Sequence, residues 1–217
     1  MIKLLACFFM LIDHVGLIFF PSAVWLRIVG RLSMPLFAYC IARGFYYTYR
    51  KNTFITYEKR VLFFAVFSQL PFSMMVQENT LNIGFLWLLS IPALYCIENF
   101  DLLLCKFCLL FIFAVSYIVP MDYGFYGILL TIIFYLFRFY PETISKDGLY
   151  FACIGLHVFY IPIRPSFAFM QIFSLATLPI IDKVCYIDNV VHMKKQFYYL
   201  FYPIHIIVLL IVRYSIA

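Results

Sequence analysis

Nine apolar runs, each parted from the next by a short charged or Pro- and Asn-containing break, leave this chain of 217 residues few ways to fold. They lie at roughly 4–26, 28–48, 61–77, 81–98, 102–121, 123–140, 149–163, 167–181 and 197–213, and runs near 20 residues match the thickness of a bilayer. Asp, Glu, Lys and Arg make up only 12% of the chain and hydrophobic residues 66%. A globular domain is about one quarter charged, so this chain lacks the polar groups to cover a water-facing surface. A soluble enzyme, a disordered chain and a nucleic-acid module are thereby excluded. An integral membrane protein is what remains.

Inside lipid every backbone N–H and C=O needs an internal partner, which only helices and closed barrels supply. A barrel strand alternates polar and apolar residues, and Leu109-Leu-Phe-Ile-Phe113 does not. The predicted fold is therefore all-α, a polytopic transmembrane bundle of about nine spans (eight to ten), forming a single domain over 1–217. The start, Met1-Ile-Lys3 before an apolar stretch, imitates a signal peptide but has no small-residue cleavage site, and reads as a retained first helix. Positive charge sets orientation. With the N-terminus inside, Lys3, Arg43, Arg50, Lys51, Lys59, Arg60, Lys106, Arg138, Lys146, Lys183, Lys194 and Lys195 fall on the cytoplasmic side. Arg27, Arg31, Arg164 and Arg213 fall outside, a split of 12 to 4 that predicts a cytoplasmic N-terminus. Cys105 and Cys108 form a C-x-x-C with no His or second pair nearby, so no metal is expected.

The informative residues are the polar ones at lipid depth. Asp13 and His14 lie within the first run, where an ionisable side chain costs at least about 2.5 kcal/mol and is functional by default. Adjacent helical positions diverge by about 100°, so each needs a partner on another helix, and Gly16 allows one to come close. Burial favours a neutral imidazole, which suits a general base or nucleophile. Leu32 to Ala42 spans about 16 Å of helix against a core of about 30 Å. Arg31 or Arg43 therefore lies within the hydrocarbon or bends to its edge, and Arg31 is the better partner for Asp13 or for an anionic ligand. Gln69, Asn82, Asp122 and Gln171 are also out of place, as is Tyr202-Pro-Ile-His205, where Pro203 removes a helical donor just before a histidine. His157 and His192 carry no such signal. The basic, aromatic segment Tyr49–Arg60 fixes topology or receives the phosphates of a nucleotide-bearing donor.

Taken in order, these landmarks resemble the TraX family of membrane acetyltransferases. The matching stretches are Met10-Leu-Ile-Asp-His-Val-Gly16, Leu26-Arg-Ile-Val-Gly-Arg31 with Pro35-Leu-Phe-Ala38, and Ser68-Gln-Leu-Pro-Phe72. Leu81-Asn82, Asp122-Tyr-Gly124 with Gly127, and Phe201-Tyr-Pro-Ile-His205 complete them. Ile41-Ala-Arg43-Gly44 departs from the pattern, which carries an acidic residue before the glycine. The family resembles larger membrane acyltransferases that use acyl-coenzyme A, and its namesake acetylates a conjugative pilin.

The resemblance implies acetyl-coenzyme A as donor and an amine or hydroxyl of a small molecule, glycan or peptide as acceptor, in a bacterial cytoplasmic (inner) membrane. It implies His14, Asp13 and His205 as catalytic residues, with Arg31, Arg43, Gln69, Asn82, Asp122 and Tyr202 binding substrate. A proton-coupled transporter or exporter subunit built on the same buried Asp, His and Arg is the alternative, and the lack of inverted-repeat symmetry weighs against it. Membrane lipids are partners on either reading, and both leave room for a homo-oligomer.

Overall fold

A computed structural model describes residues 1–184 and 195–216, so His192 and Lys194 lie outside the described residues. Each of the nine apolar runs is helical. In chain order the helices are α1 (Ile2–Phe19), α2 (Val24–Gly30), α3 (Ser33–Arg50), α4 (Phe54–Val76), α5 (Ile83–Glu98) and α6 (Leu103–Ile118). There follow α7 (Gly124–Phe139), α8 (Lys146–Tyr160), α9 (Pro165–Gln171), a 3-10 turn (Ile172–Thr177), α10 (Leu178–Val184) and α11 (Lys195–Ile216). Among the described residues no strand forms, and the one isolated bridge pairs Leu81 with Met121.

Five segments are long and apolar enough to cross a membrane: Ile2–Phe19, Val24–Arg50, Phe54–Val76, Pro165–Lys183 and Phe197–Ile216. Ile83–Glu98, Leu103–Ile118 and Gly124–Phe139 are apolar but shorter. At 1.5 Å per residue a 16-residue helix such as α5 measures about 24 Å, less than the hydrocarbon core of about 30 Å. Exposed Phe63, Leu70, Leu104, Phe111 and Ile118 have no water-soluble explanation in such numbers. The chain is a helical membrane protein.

The first apolar run does not continue as one helix. α1 stops at Phe19 because Pro21 disfavours helical backbone at Phe20, and α2 begins only at Val24. The chain forms two compact units, one of Met1–Cys40 with Tyr150–Ala217 and one of Ile41–Leu149. In the first, α1 packs against α2 and α11, and α2 touches α9 and the 3-10 turn. His157 ties α8 to α9, its ring nitrogens lying 2.6 Å from the Cys153 carbonyl and 3.0 Å from that of Gln171.

In the second unit α5 is central, packed against α4, α6 and α7. Its N-terminus is fixed by Asn82, fully buried, whose side chain accepts from Gly84 N at 2.7 Å and donates to the Ala65 carbonyl at 2.8 Å. Gln69 accepts from Asn82 N and Nδ2 at 2.9 and 3.0 Å and donates to Ser73 Oγ and the Thr80 carbonyl. A Cβ on Gly84 would sit 2.7 Å from Ala65 Cα, so α4 and α5 meet backbone to backbone there. At the cap of α7, Tyr140 donates to Glu98, as does Tyr135. Among the described residues no group of three or more His, Cys, Asp or Glu is placed to hold a metal ion.

Replacing Asn82 by Ala removes the cap and strands Gln69. Asn82→Ala is expected to cost about 2 kcal/mol, read as a fall in melting temperature in detergent micelles. A melting temperature equal to that of the parent chain would show the network to be dispensable.

Candidate functional site

The site is built where α1 meets α2 on one side and α11 on the other. Asp13 and His14 are adjacent, so their side chains leave α1 about 100° apart. Asp13 faces α2 and His14 faces α11, and both are buried, as are Arg31 and His205.

Two glycines bring α1 and α2 together. A Cβ on Gly16 would lie 2.7 Å from Leu26 Cβ, and one on Gly30 would lie 2.3 Å from Asp13 Cβ and 2.6 Å from Asp13 Cα. At that distance Arg27 Nη1 reaches Asp13 twice, at 3.0 Å from Oδ2 and 3.1 Å from the Asp13 carbonyl. Asp13 Oδ1 is buried with no hydrogen-bond partner. Arg31, one turn beyond Arg27, acts on the same carboxylate through its charge. A carboxylate at this depth is tolerable because two guanidinium groups offset its desolvation.

His14 and His205 form the second half. His14 Nδ1 and His205 Nε2 lie 2.6 Å apart, and the two ring planes agree to within 2°. The ring centroids are 4.9 Å apart, which equals the N···N distance plus two ring radii. The rings therefore share a plane edge to edge, joined by a linear N–H···N bond rather than stacked face to face. The direction of that bond follows from the next partner. His205 Nδ1 lies 2.7 Å from the Phe201 carbonyl, which can only accept. Nδ1 of His205 thus carries the proton, Nε2 accepts, and His14 Nδ1 donates. The lone pair of the dyad is left on His14 Nε2, which has no hydrogen-bond partner among the described residues. Pro203 lies inside α11 without an N–H for the Tyr199 carbonyl, as its place in the sequence requires. Tyr202 sets the edge of its ring to both imidazoles, at 5.9 and 5.8 Å.

Beside the dyad, a cavity of about 410 Å³ runs along α11 between Phe197 and Leu209, with Leu11 on its α1 side. His205 is its single polar lining residue. The groove admits apolar matter and offers nothing to a phosphate.

Of the residues singled out in the sequence, Asp13, His14, Arg31, Tyr202 and His205 come together in the first unit. Arg43, Gln69, Asn82 and Asp122 lie in the second. The amides of Gln69 and Asn82 are committed to the α4–α5 turn. Arg43 lies over the Tyr47 ring at 5.7 Å, and Asp122 N donates to the Leu81 carbonyl. Arg27 was not among the residues singled out from the sequence; it counted as an outer charge and stood unremarked in the stretch Leu26-Arg-Ile-Val-Gly-Arg31. Its spacing of four from Arg31 places both on one helical face, and that was the available signal.

Removing the Arg27 charge leaves a buried carboxylate with less compensation. Arg27→Met is expected to destabilise by about 3–5 kcal/mol, whereas Arg27→Met with Asp13→Leu recovers most of the loss. Thermal melts of the two variants check this, and equal melting temperatures for both would mean that the pair carries no stability.

The family model described as TraX protein matches residues 1–213. Over 96% of this chain and 92% of its own length, the probable fimbrial assembly protein FimC, serogroup H1, of Dichelobacter nodosus is 28% identical. An uncharacterized protein of Rickettsia prowazekii, RP591, is 41% identical over 46 residues, which is 21% of this chain and 18% of that protein. No solved structure is significantly similar.

Proposed function

The chain belongs to the TraX family, and we propose that it is a membrane-embedded acetyltransferase that moves an acetyl group from acetyl-coenzyme A to an amine or hydroxyl. The observation that carries this reading is the His14–His205 dyad, whose tautomers leave a base at His14 Nε2. His14 Nε2 takes the proton of the acceptor as its nitrogen or oxygen attacks the thioester carbonyl. The new N–C or O–C bond forms, the C–S bond breaks, and His14 returns the proton to the departing thiolate. The positive charge held meanwhile on His14 is shared through its Nδ1–H with His205, so it is not borne by one ring in an apolar site. Arg27 and Arg31 supply positive charge close to the carbonyl oxygen and thiolate, where negative charge develops.

The basic inner-face charges support a nine-span arrangement with the N-terminus in the cytoplasm, where acetyl-coenzyme A is made. The membrane is the bacterial cytoplasmic (inner) membrane, and the whole chain acts as one domain. The apolar groove beside His205 supports an acceptor presented from the lipid phase rather than from water. The fimbrial-assembly name of the Dichelobacter relative supports a fimbrial or pilus subunit as that acceptor.

Purified protein in nanodiscs, given labelled acetyl-coenzyme A and a panel of amines and alcohols, tests the reading. His14→Ala is expected to lower transfer by about 10²–10⁴-fold, and His205→Ala by less, since the base itself remains. Transfer or thioester hydrolysis unchanged in His14→Ala removes His14 from the chemistry. Proton-gradient-driven flux in proteoliposomes with no transfer to any acceptor would favour a transporter instead.

A further inference from the structure

The turn between α3 and α4 and the C-terminal end of α5 border an open surface cavity that the dyad does not use. It measures about 390 Å³ and is bounded by Tyr49, Arg50, Asn52, Phe54 and Tyr95, all in the second unit. Unlike the groove along α11, most of its lining is polar.

Three features of different origin point to one kind of ligand. The first is aromatic. Phe54 and Tyr95 lie near-parallel with centroids 5.2 Å apart, Tyr49 meets Tyr95 edge-on at 5.9 Å, and the Tyr49 hydroxyl is held by Asn99 Nδ2 at 3.2 Å. A rigid cluster of rings with an open side is a stacking platform for a heterocyclic base. The second is charge. Arg50 is exposed at the rim and steadied over the Tyr46 ring at 5.3 Å, and Lys51, Lys59 and Arg60 are exposed nearby. Glu98, whose charge reaches Arg50, is engaged by the hydroxyls of Tyr135 and Tyr140.

The third is the helix end. α4 is 23 residues long and begins at Phe54 with no side chain capping it. The hydroxyl of Thr53, the residue that would cap it, donates instead to the Thr48 carbonyl. First-turn amides left open beside an arginine form an anion site. The connection is short and set by hydrogen bonds: Asn52 takes φ 54°, and Thr53 N donates to the Thr48 carbonyl at 2.8 Å. The backbone of the turn, and with it the start of α4, therefore keeps a fixed position.

We propose that this cavity binds a nucleotide, its base against Phe54 and Tyr95 and its phosphates between Arg50 and the first turn of α4. Adenosine 3′,5′-bisphosphate, which joins a heterocyclic base to two phosphate groups, is the probe for it, and the binding does not depend on the acetyltransferase reading. An anionic lipid headgroup would satisfy Arg50 and the open amides but would leave the aromatic platform without a purpose.

Full-length protein in zwitterionic nanodiscs, titrated calorimetrically with adenosine 3′,5′-bisphosphate, provides the test. Wild type is expected to bind, and Arg50→Gln, an exposed change that spares the core, to weaken binding at least tenfold. Tyr95→Leu, checked by melting temperature for intact folding, is expected to do the same, whereas inorganic phosphate binds far more weakly than the nucleotide. Binding by wild type without any acetyl transfer upholds this site while sinking the acetyltransferase reading. No nucleotide binding by wild type overturns this site and leaves that reading standing. Loss of nucleotide binding in nanodiscs containing phosphatidylglycerol, with phosphate and nucleotide equivalent in its absence, would make it a headgroup site and also overturn the proposal.

Discussion

The ion pair between Asp13 and Arg27 is the interaction on which the rest of the site depends. A carboxylate placed mid-helix in an apolar run has to be compensated, and the compensating charge sits on the next helix, 3.0 Å away. That pairing is possible only because Gly30 has no side chain where Asp13 Cα and Cβ pass. It fixes the rotation of α1. Once Asp13 is held toward α2, helical geometry turns His14 toward α11, where His205 waits in the same plane. The geometry of the dyad thus descends from an electrostatic requirement at the preceding residue.

The dyad contrasts with the polar network of the second unit. There, both amide hydrogens of Gln69 and of Asn82 are used within the α4–α5 turn, and the result is a rigid corner. At the dyad the hydrogen bonds run in one direction, from His14 to His205 to the Phe201 carbonyl, and end with a lone pair that nothing among the described residues takes up. Satisfied polar groups hold a fold together. A buried base left open at the end of a chain of donors is positioned to take a proton from something else.

Much of this was legible in the sequence, and the limits of legibility have physical causes. Apolar runs bounded by charge announce helices because lipid permits nothing else, and all nine proved helical. Asp13, His14, Arg31 and His205 announce themselves because each is costly where it stands. What the sequence does not carry is azimuth and register between helices. Arg27 resembled any charge flanking a span until Gly30 brought it beside Asp13. Gln69 and Asn82 looked like site residues for the same reason that His14 did, yet their partners lie 2 to 17 residues away and close a turn. The break at Phe20–Ala23 was signalled by Pro21, but its effect, a separate short α2 carrying Arg27, depends on packing that no local pattern encodes.

The central claim is that acetyl transfer takes place at His14 Nε2, and the position of the donor sulfur tests it most directly. A cryo-electron microscopy structure of the full chain in nanodiscs with coenzyme A bound would locate it. The account predicts the sulfur about 3–3.5 Å from His14 Nε2, with the His14–His205 bond intact. A sulfur lodged away from the dyad, with His14 still turned into protein and touching only His205, would contradict it.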